Sequence, residues 1–187
     1  MKRISPLIVA MLLSGCITYS LVKPGKIEIG NAFRVQPTFE WARMETGNVE
    51  TWTINGGALE AVQFVKGVKD GDPPFQSIAP ADASKLRKFR KGMNPLEVQD
   101  LIISNLKGIG AEKVLVENQT PAMIKGAEAF RTELSYTLKD GLARKSIIIA
   151  AVKNEKLYVA LYYGVKLHYF GRYKDDVEHL FTTMEVL

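Results

Sequence analysis

The sequence has one cysteine and two histidines among its 187 residues. A single thiol cannot form an internal disulfide, which excludes the disulfide-stapled class of small secreted domains. A zinc site needs three or four ligands, and two histidines leave half of that shell to aspartate and glutamate. We therefore expect no metal site.

Motifs for catalysis and cofactor binding are absent as well. The chain contains no Gly-x-Ser-x-Gly nucleophile elbow, no Walker A sequence and no Gly-x-Gly-x-x-Gly turn. Internal repeats and extended low-complexity segments are also missing. We therefore assign no catalytic residue and no cofactor.

The amino terminus has the pattern of a bacterial signal peptide. Lys2 and Arg3 precede an apolar run at residues 4–13, which is interrupted by Ser5 and Pro6. A helix of this length reaches about half of the ~30 Å hydrocarbon core of a bilayer, so it is too short to span one. A signal-peptide core is the better interpretation.

The segment that follows, Leu13-Ser14-Gly15-Cys16, resembles the bacterial lipobox. The resemblance implies cleavage between Gly15 and Cys16 and attachment of lipid to the cysteine. Two or three acyl chains anchor a protein stably, whereas one chain binds marginally. By resemblance to sorting in Gram-negative lipoproteins, in which aspartate after the cysteine retains a protein at the inner membrane, Ile17 favours the outer membrane, if the source has one, with the domain facing the periplasm. The alternative is an ordinary secretory signal with an incidental thiol.

These boundaries divide the chain into a signal peptide at residues 1–15, a lipidated tether at 16–26 and a single α+β domain at 27–187. Without Lys2 and Arg3, the mature chain keeps 23 basic and 20 acidic residues, a net charge of +3. This mild excess does not indicate a nucleic-acid partner. No second apolar stretch of 18 residues is present, so lipid at Cys16 is the predicted contact with the membrane.

The first half of the domain predicts a strand at residues 27–36, a hairpin and a helix. Residues 50–54 and 58–65 read as strands joined by a turn at Asn55-Gly56. Residues 67–93 contain glycines and prolines that break any periodicity, and they are expected to form a long loop. A helix then starts at Asn94 as N-cap with Glu97 completing a capping box, and it ends at Gly108.

The second half is dominated by alternating strands. A short strand is predicted at 114–116, followed by an antiparallel meander at 130–138, 145–152 and 157–163 with one face covered. A final helix is expected at 173–184. The predicted fold class is α+β: an antiparallel sheet, made of the hairpin and the three-stranded meander, with an internal helix and a C-terminal helix packed on it.

This order of elements resembles the Mog1/PsbP-like group of α+β folds, which includes envelope lipoproteins. More narrowly, Glu50-Thr51-Trp52-Thr53 and the segments 90–95 and 157–169 resemble parts of uncharacterised proteobacterial lipoproteins. The resemblance covers most of residues 27–185. It implies an architecture and a cell compartment, and it implies no reaction.

The densest charge feature is the basic run at residues 85–91. We consider it a possible contact with an anionic surface, such as lipid headgroups, an anionic envelope polymer or an acidic partner protein, because each cation near an anionic membrane contributes about 1 kcal/mol. The alternative is a solvated connector into the helix at Asn94. The five cations are Lys85, Arg87, Lys88, Arg90 and Lys91.

Other candidate groups each have a structural explanation. The two histidines, His168 and His179, are the only imidazoles on which an unrecognised catalytic site could be built. Glu117, Glu128 and Glu133 could pair as acid and base, although a cross-strand ion pair with Arg131 accounts for Glu133 equally well. Six aromatic residues line either a ligand pocket or the core. They are Tyr158, Tyr162, Tyr163, Tyr169, Phe170 and Tyr173.

Three functions remain open at this point. The first is a non-enzymatic, membrane-anchored envelope lipoprotein that acts as a binding or accessory module for an envelope protein or polymer. The second is an enzyme with a site near His168 or His179. The third is a small-molecule carrier that uses the loop at 67–93 as a lid, which requires a cavity beneath that loop.

Overall fold

The computed structural model describes residues 19–78 and 84–187. The expected signal peptide, the cleavage site after Gly15 and the lipidation site at Cys16 lie outside these residues. In chain order the strands and helices are β1 Ser20–Val22, β2 Ile27–Ile29, β3 Phe33–Val35, β4 Trp41–Thr46, β5 Val49–Thr53, β6 Glu60–Val68, α1 Pro95–Gly108, β7 Glu112–Ile124, β8 Ala127–Thr137, β9 Ala143–Lys153, β10 Lys156–Val165, α2 Tyr169–Thr182 and β11 Glu185–Val186.

Eight of these strands form one antiparallel sheet in the order β1-β4-β5-β6-β10-β9-β8-β7. The predicted hairpin and meander meet where β6 pairs with β10, with Phe64 opposite Ala160. A second, small sheet has the order β11-β3-β2. The expected α+β class, with an antiparallel sheet and an internal and a C-terminal helix, is confirmed.

The two helices cover opposite faces of the large sheet. We call the core under α2 the first core, which contains Trp52 and Tyr162. The second core lies under α1 and contains Leu134 and Leu161. The expectation that one face of the meander is covered is therefore wrong: neighbouring residues such as Ile147 and Ile148 point into different cores, so both faces need a helix.

Local signals placed several elements correctly. The side chain of Asn94 accepts a hydrogen bond from the Glu97 backbone N–H at 3.0 Å, and the Glu97 carboxylate accepts one from the Asn94 N–H at 2.8 Å. This capping box satisfies two backbone donors at the start of α1. The hairpin between β5 and β6 is also present, with Gly56 at φ +97°, although the turn spans residues 54–59 and is not a two-residue turn.

Other boundaries differ from the sequence predictions. Residues 27–36 form two strands joined at Gly30, whose φ of +53° suits glycine. The strand predicted at 114–116 extends over 112–124 as β7. Helix α2 begins at Tyr169, four residues early, because the Phe170 ring stacks on Tyr162 at 5.4 Å and holds the first turn against the sheet.

The sheet begins within the segment expected to be a tether. Ser20–Val22 forms β1 and pairs with β4, and the Val22 side chain is buried in the first core. Within residues 19–78 and 84–187, no helix is both long and apolar enough to cross a membrane. Lipid attachment at Cys16 stays a prediction.

The expected long loop is anchored to the second core. Phe75, Leu86 and Phe89 are buried there, and the Phe89 backbone N–H donates to the Asp72 carbonyl at 2.9 Å. The Asn105 side chain of α1 donates to the Arg87 carbonyl at 3.0 Å. The described part of the segment 69–94 therefore packs along α1.

Candidate functional site

An open groove of about 820 Å³ lies between the amino-terminal end of α1 and the outer strands β7, β8 and β9. Its wall on the helix side includes Pro95 and Leu96, and its floor includes Pro121, Phe130 and Val152. It arises because α1 runs across the sheet and leaves the ends of these strands uncovered. The volume is in the range of binding sites for ligands or partner side chains.

The groove exposes large apolar side chains to solvent. Leu96 is 64% exposed and Met123 is 76% exposed. Leu96 points away from the core because the apolar stripe of α1 is formed by Val98, Leu101 and their neighbours. Methionine is frequent on surfaces that bind partners, since its unbranched side chain adapts to irregular shapes.

Among the described residues that line the groove, one is charged. Glu128 lies opposite Met123 in the β7–β8 pairing. Its side chain forms no ion pair within the described part of the chain. The groove therefore combines an apolar surface with one uncompensated negative charge.

Strand β7 borders the groove and is the outer strand of the sheet. Its pairing with β8 is interrupted at two places, between Glu112 and Leu115 and between Val116 and Asn118. Pro121 removes one backbone donor. Such irregularities and prolines protect sheet edges from pairing with another strand. The face of the sheet beside α1, rather than its edge, is therefore the surface available to a partner.

The basic run at 85–91 forms a strap along α1, and we call residues 85–91 the basic strap. Leu86 and Phe89 point inward, whereas the cations point outward. Lys91 lies 3.7 Å from Glu155. Among the described residues, Arg87, Lys88 and Arg90 form no ion pair.

The two histidines do not assemble a catalytic site. His168 precedes α2 and His179 lies in its last turn, and both are exposed. Neither lines the groove. In the part of the chain that the structure describes, no group of three histidine, cysteine or acidic residues is arranged to hold a metal ion.

Two of the candidate acids, Glu117 and Glu133, are bound by basic side chains. Glu133 binds Arg131 in its own strand and Lys174 of α2, and Arg131 also binds Glu178 of α2. The predicted ion pair is therefore present, but it runs along β8 and onto α2 instead of across strands. Glu117 receives a bond from Lys145 at 2.6 Å, which lowers the pKa of Glu117.

Most of the aromatic group belongs to the first core. Tyr158, Tyr162, Phe170 and Tyr173 are buried there, and Tyr169 packs against them. Tyr163 lies on the opposite face, where its hydroxyl donates to the Gly57 carbonyl at 2.6 Å. The interpretation of these residues as core is confirmed for all except Tyr163.

Sequence analysis missed the groove. Leu96 and Met123 are far apart along the chain, and each is an isolated apolar residue in its own segment. The groove is recognised only from the length of β7 and the exposure of its side chains, which the structure shows. No pattern in the sequence connects the helix start at Pro95 with Met123.

The fold is similar to that of cyanobacterial PsbP (CyanoP) from Synechocystis sp.. The TM-score is 0.56 over 96% of this chain and 99% of that protein, at 9% sequence identity. At this identity the similarity establishes the fold alone, and it confirms the expected PsbP-like architecture.

Two further solved structures are more distant. A Bacteroides thetaiotaomicron protein has a TM-score of 0.49 at 10% identity, covering 89% of this chain and 49% of that one. LpqN from Mycobacterium tuberculosis, described as involved in cell envelope biogenesis, has a TM-score of 0.41 at 10% identity, covering 90% and 84%. These scores are too low to support an argument. No protein-family model matches the chain, and no curated protein matches it in sequence.

Proposed function

We propose that this chain is a lipid-anchored binding module of the bacterial cell envelope, whose groove receives an apolar segment of a partner protein. The observation that carries the proposal is the open groove beside α1, with Leu96 and Met123 exposed on it. Soluble domains rarely leave large apolar side chains clustered around a concavity unless the surface binds something.

The chemistry of the groove specifies the segment. Its apolar lining favours aliphatic or aromatic side chains, which gain about 25 cal/mol for each Å² removed from water. Glu128 is the one charged residue in the described lining, so a lysine or arginine in the bound segment complements it. The interrupted edge of β7 disfavours strand addition, and we therefore assign binding to the side chains of the groove.

Lipid attachment fits the position of the first strand. The sheet begins at Ser20, four residues after the predicted lipidated Cys16. Four extended residues span at most about 14 Å, so lipid on Cys16 would hold the domain close to the membrane surface. The signal pattern supports the outer membrane facing the periplasm as the location.

The exposed cations of the basic strap suit the same location. Arg87, Lys88 and Arg90 project into solvent from a segment that Leu86 and Phe89 fix to the core. Because Leu86 and Phe89 fix the backbone of the strap, contact with a surface costs little backbone conformational entropy. We assign its contact to phosphate-bearing lipid headgroups of the membrane that carries the anchor.

Site-specific photocrosslinking in the native host tests the groove. A benzophenone side chain at Met123 is expected to give a discrete protein adduct. The same probe at Leu167, which is 94% exposed and outside the groove, should not give it. Introducing Leu96→Glu or Glu128→Lys should abolish the Met123 adduct. Equal adducts at both positions, or an adduct that survives both substitutions, would contradict the proposal.

Intact mass spectrometry of the protein extracted from host membranes tests the anchor. The expected mass is that of residues 16–187 plus a multiply acylated cysteine, and Cys16→Ser should release an unlipidated chain. An unmodified chain in the membrane fraction would overturn lipid anchoring and leave the groove to be tested by itself.

A further inference from the structure

A second concavity, of about 290 Å³, lies at the other end of the face covered by α1. Phe75 and Ile78 of the segment 69–94 form one wall, and Leu106 of α1 forms another. The floor includes Leu161 of β10. This is the cavity beneath the long loop that a small-molecule carrier requires.

The cavity is separate from the groove. Arg144 lines the cavity and Ala150 lines the groove, and these residues are six apart on β9. At about 3.3 Å per residue, the two sites are roughly 20 Å apart. A ligand in the cavity therefore does not compete directly with a segment in the groove.

Arg144 lines this cavity with its charge already paired. Its side chain is 3% exposed, and its Nη atoms donate to both carboxylate oxygens of Asp140 at 3.0 and 2.6 Å. One Nη also donates to the Ala58 carbonyl at 3.0 Å. The Nε atom is enclosed by protein atoms, so a ligand in the cavity cannot reach it.

A tyrosine hydroxyl provides the free donor of this cavity. The Ser146 hydroxyl donates to the Tyr136 hydroxyl oxygen at 3.4 Å. The phenolic hydrogen of Tyr136 therefore has no acceptor in the part of the chain that the structure describes. Tyr136 lines the cavity, and burial raises its pKa, so the phenol stays uncharged at neutral pH.

The charges of the cavity are balanced. Asp140 neutralises Arg144, and the rest of the lining that the described residues 19–78 and 84–187 contribute is apolar or uncharged. A charged ligand would lose its hydration without gaining an opposite charge. The volume corresponds to about ten water-sized groups at ~30 Å³ each.

We propose that this cavity binds a small uncharged molecule of about ten non-hydrogen atoms, largely apolar, with a carbonyl-type acceptor directed at the Tyr136 hydroxyl. Aliphatic contacts with Leu106, Leu138 and Leu161 hold its apolar part. The chemical class is that of a neutral ketone, ester or amide.

Methyl NMR titration of the full chain carrying Cys16→Ser tests the proposal with three probes. Propiophenone has ten non-hydrogen atoms and one carbonyl, n-propylbenzene lacks the carbonyl, and benzoate carries a negative charge. Propiophenone should shift the methyl resonances of Leu106, Leu138 and Leu161, with an affinity at least tenfold higher than that of either other probe. Equal affinity of n-propylbenzene, tighter binding of benzoate, or no shift at these methyls would overturn it.

A cavity-filling variant locates the site. Ala111 is buried and lines the cavity, and Ala111→Leu should reduce propiophenone affinity at least tenfold while the protein stays folded. Ala122→Leu, in the groove, is the matched control and should leave that affinity unchanged. Retained affinity in Ala111→Leu, or an equal loss in both variants, would place binding elsewhere. Should Ala111→Leu fail to fold, the methyl shifts of the parent chain still decide the site.

Discussion

Arg144, at the start of β9, binds Asp140 in the turn between β8 and β9, and both carboxylate oxygens accept hydrogen bonds from the guanidinium at 3.0 and 2.6 Å. The arginine is buried, whereas about half of the Asp140 side chain is exposed. The pair thus brings a positive charge to the edge of the second core and neutralises it there. A two-bond geometry of this kind fixes orientation as well as charge.

The Asp140 carboxylate should give the protein a specific sensitivity to acid. The bond from Arg144 lowers the pKa of Asp140 from 3.8 to about 2. Between these values the unfolded chain binds more protons than the folded one, so the contribution of this group to stability is full above the unfolded-state pKa and is lost as the pH falls through about 2. In denaturant titrations, the advantage of the wild type over Asp140→Asn should shrink from pH ~4 to ~2. A difference that is independent of pH would contradict this.

Glu60 should show the opposite dependence. Burial raises the pKa of this carboxyl group, although it accepts hydrogen bonds from the backbone N–H groups of Asn55 and Ile54 at 2.8 and 2.7 Å. Its stabilising contribution is therefore present below the unfolded-state pKa of 4.5 and is lost as the pH rises through the folded-state value. Urea unfolding across this range should show the wild type losing stability relative to Glu60→Gln. Parallel profiles would rule out a raised pKa.

The Phe89 side chain should be a principal anchor of the basic strap. It is fully buried in the second core, so Phe89→Ala removes a large apolar group and leaves a cavity. We expect the free energy of unfolding to fall by about 3–5 kcal/mol. The neighbouring Lys88→Ala is the control, because that side chain is exposed and its loss should change stability by less than about 0.5 kcal/mol. Similar effects of both substitutions in guanidinium titrations would mean that the strap is not anchored through Phe89.

Removing the free cations of the strap should weaken attachment to anionic vesicles. The triple variant Arg87→Gln, Lys88→Gln and Arg90→Gln loses three cations worth about 1 kcal/mol each near an anionic membrane, which corresponds to roughly a hundredfold in affinity. Co-sedimentation with phosphatidylglycerol vesicles at low salt, with all proteins carrying Cys16→Ser, measures this loss of affinity.

The matched control for that experiment removes three other exposed cations. Lys23, Lys26 and Lys139 lie outside the strap, so their replacement by glutamine changes the net charge equally. A similar loss of binding in both triple variants would assign attachment to net charge and not to the strap.

Elements that are specified by residues close together in the chain could be predicted from the sequence. Asn94, Pro95 and Glu97 define the start of α1 by groups that bond within three residues of each other. The alternation from Phe130 to Tyr136 gives one face of β8, since strand side chains alternate and one face is buried. These features do not depend on distant contacts.

Elements whose position depends on packing were not predictable. The start of α2 at Tyr169 depends on Phe170 meeting the sheet at Gly164, where a Cβ would lie 2.8 Å from the Phe170 backbone. The burial of Arg144 was also not predictable from the sequence, because Ala143-Arg144-Lys145 has the pattern of a solvated strand end. In the folded protein, the Ala58 carbonyl and the Asp140 carboxylate lie beside the Arg144 side chain and accept its hydrogen bonds.

Short-range signals are sufficient to specify the α+β class, the capped helix α1, the hairpin and the meander, because hydrogen bonds and apolar periodicity between nearby residues define them. The face that each helix covers depends on packing between distant parts of the chain. The same packing determines which apolar side chains remain outside the two cores. Leu96 and Met123 flank a groove, and Phe75, Leu106 and Tyr136 line a cavity, at places where α1 and the described part of the segment 69–94 leave one face of the eight-stranded sheet uncovered. Such gaps arise from the fit between distant surfaces, which no short stretch of sequence encodes.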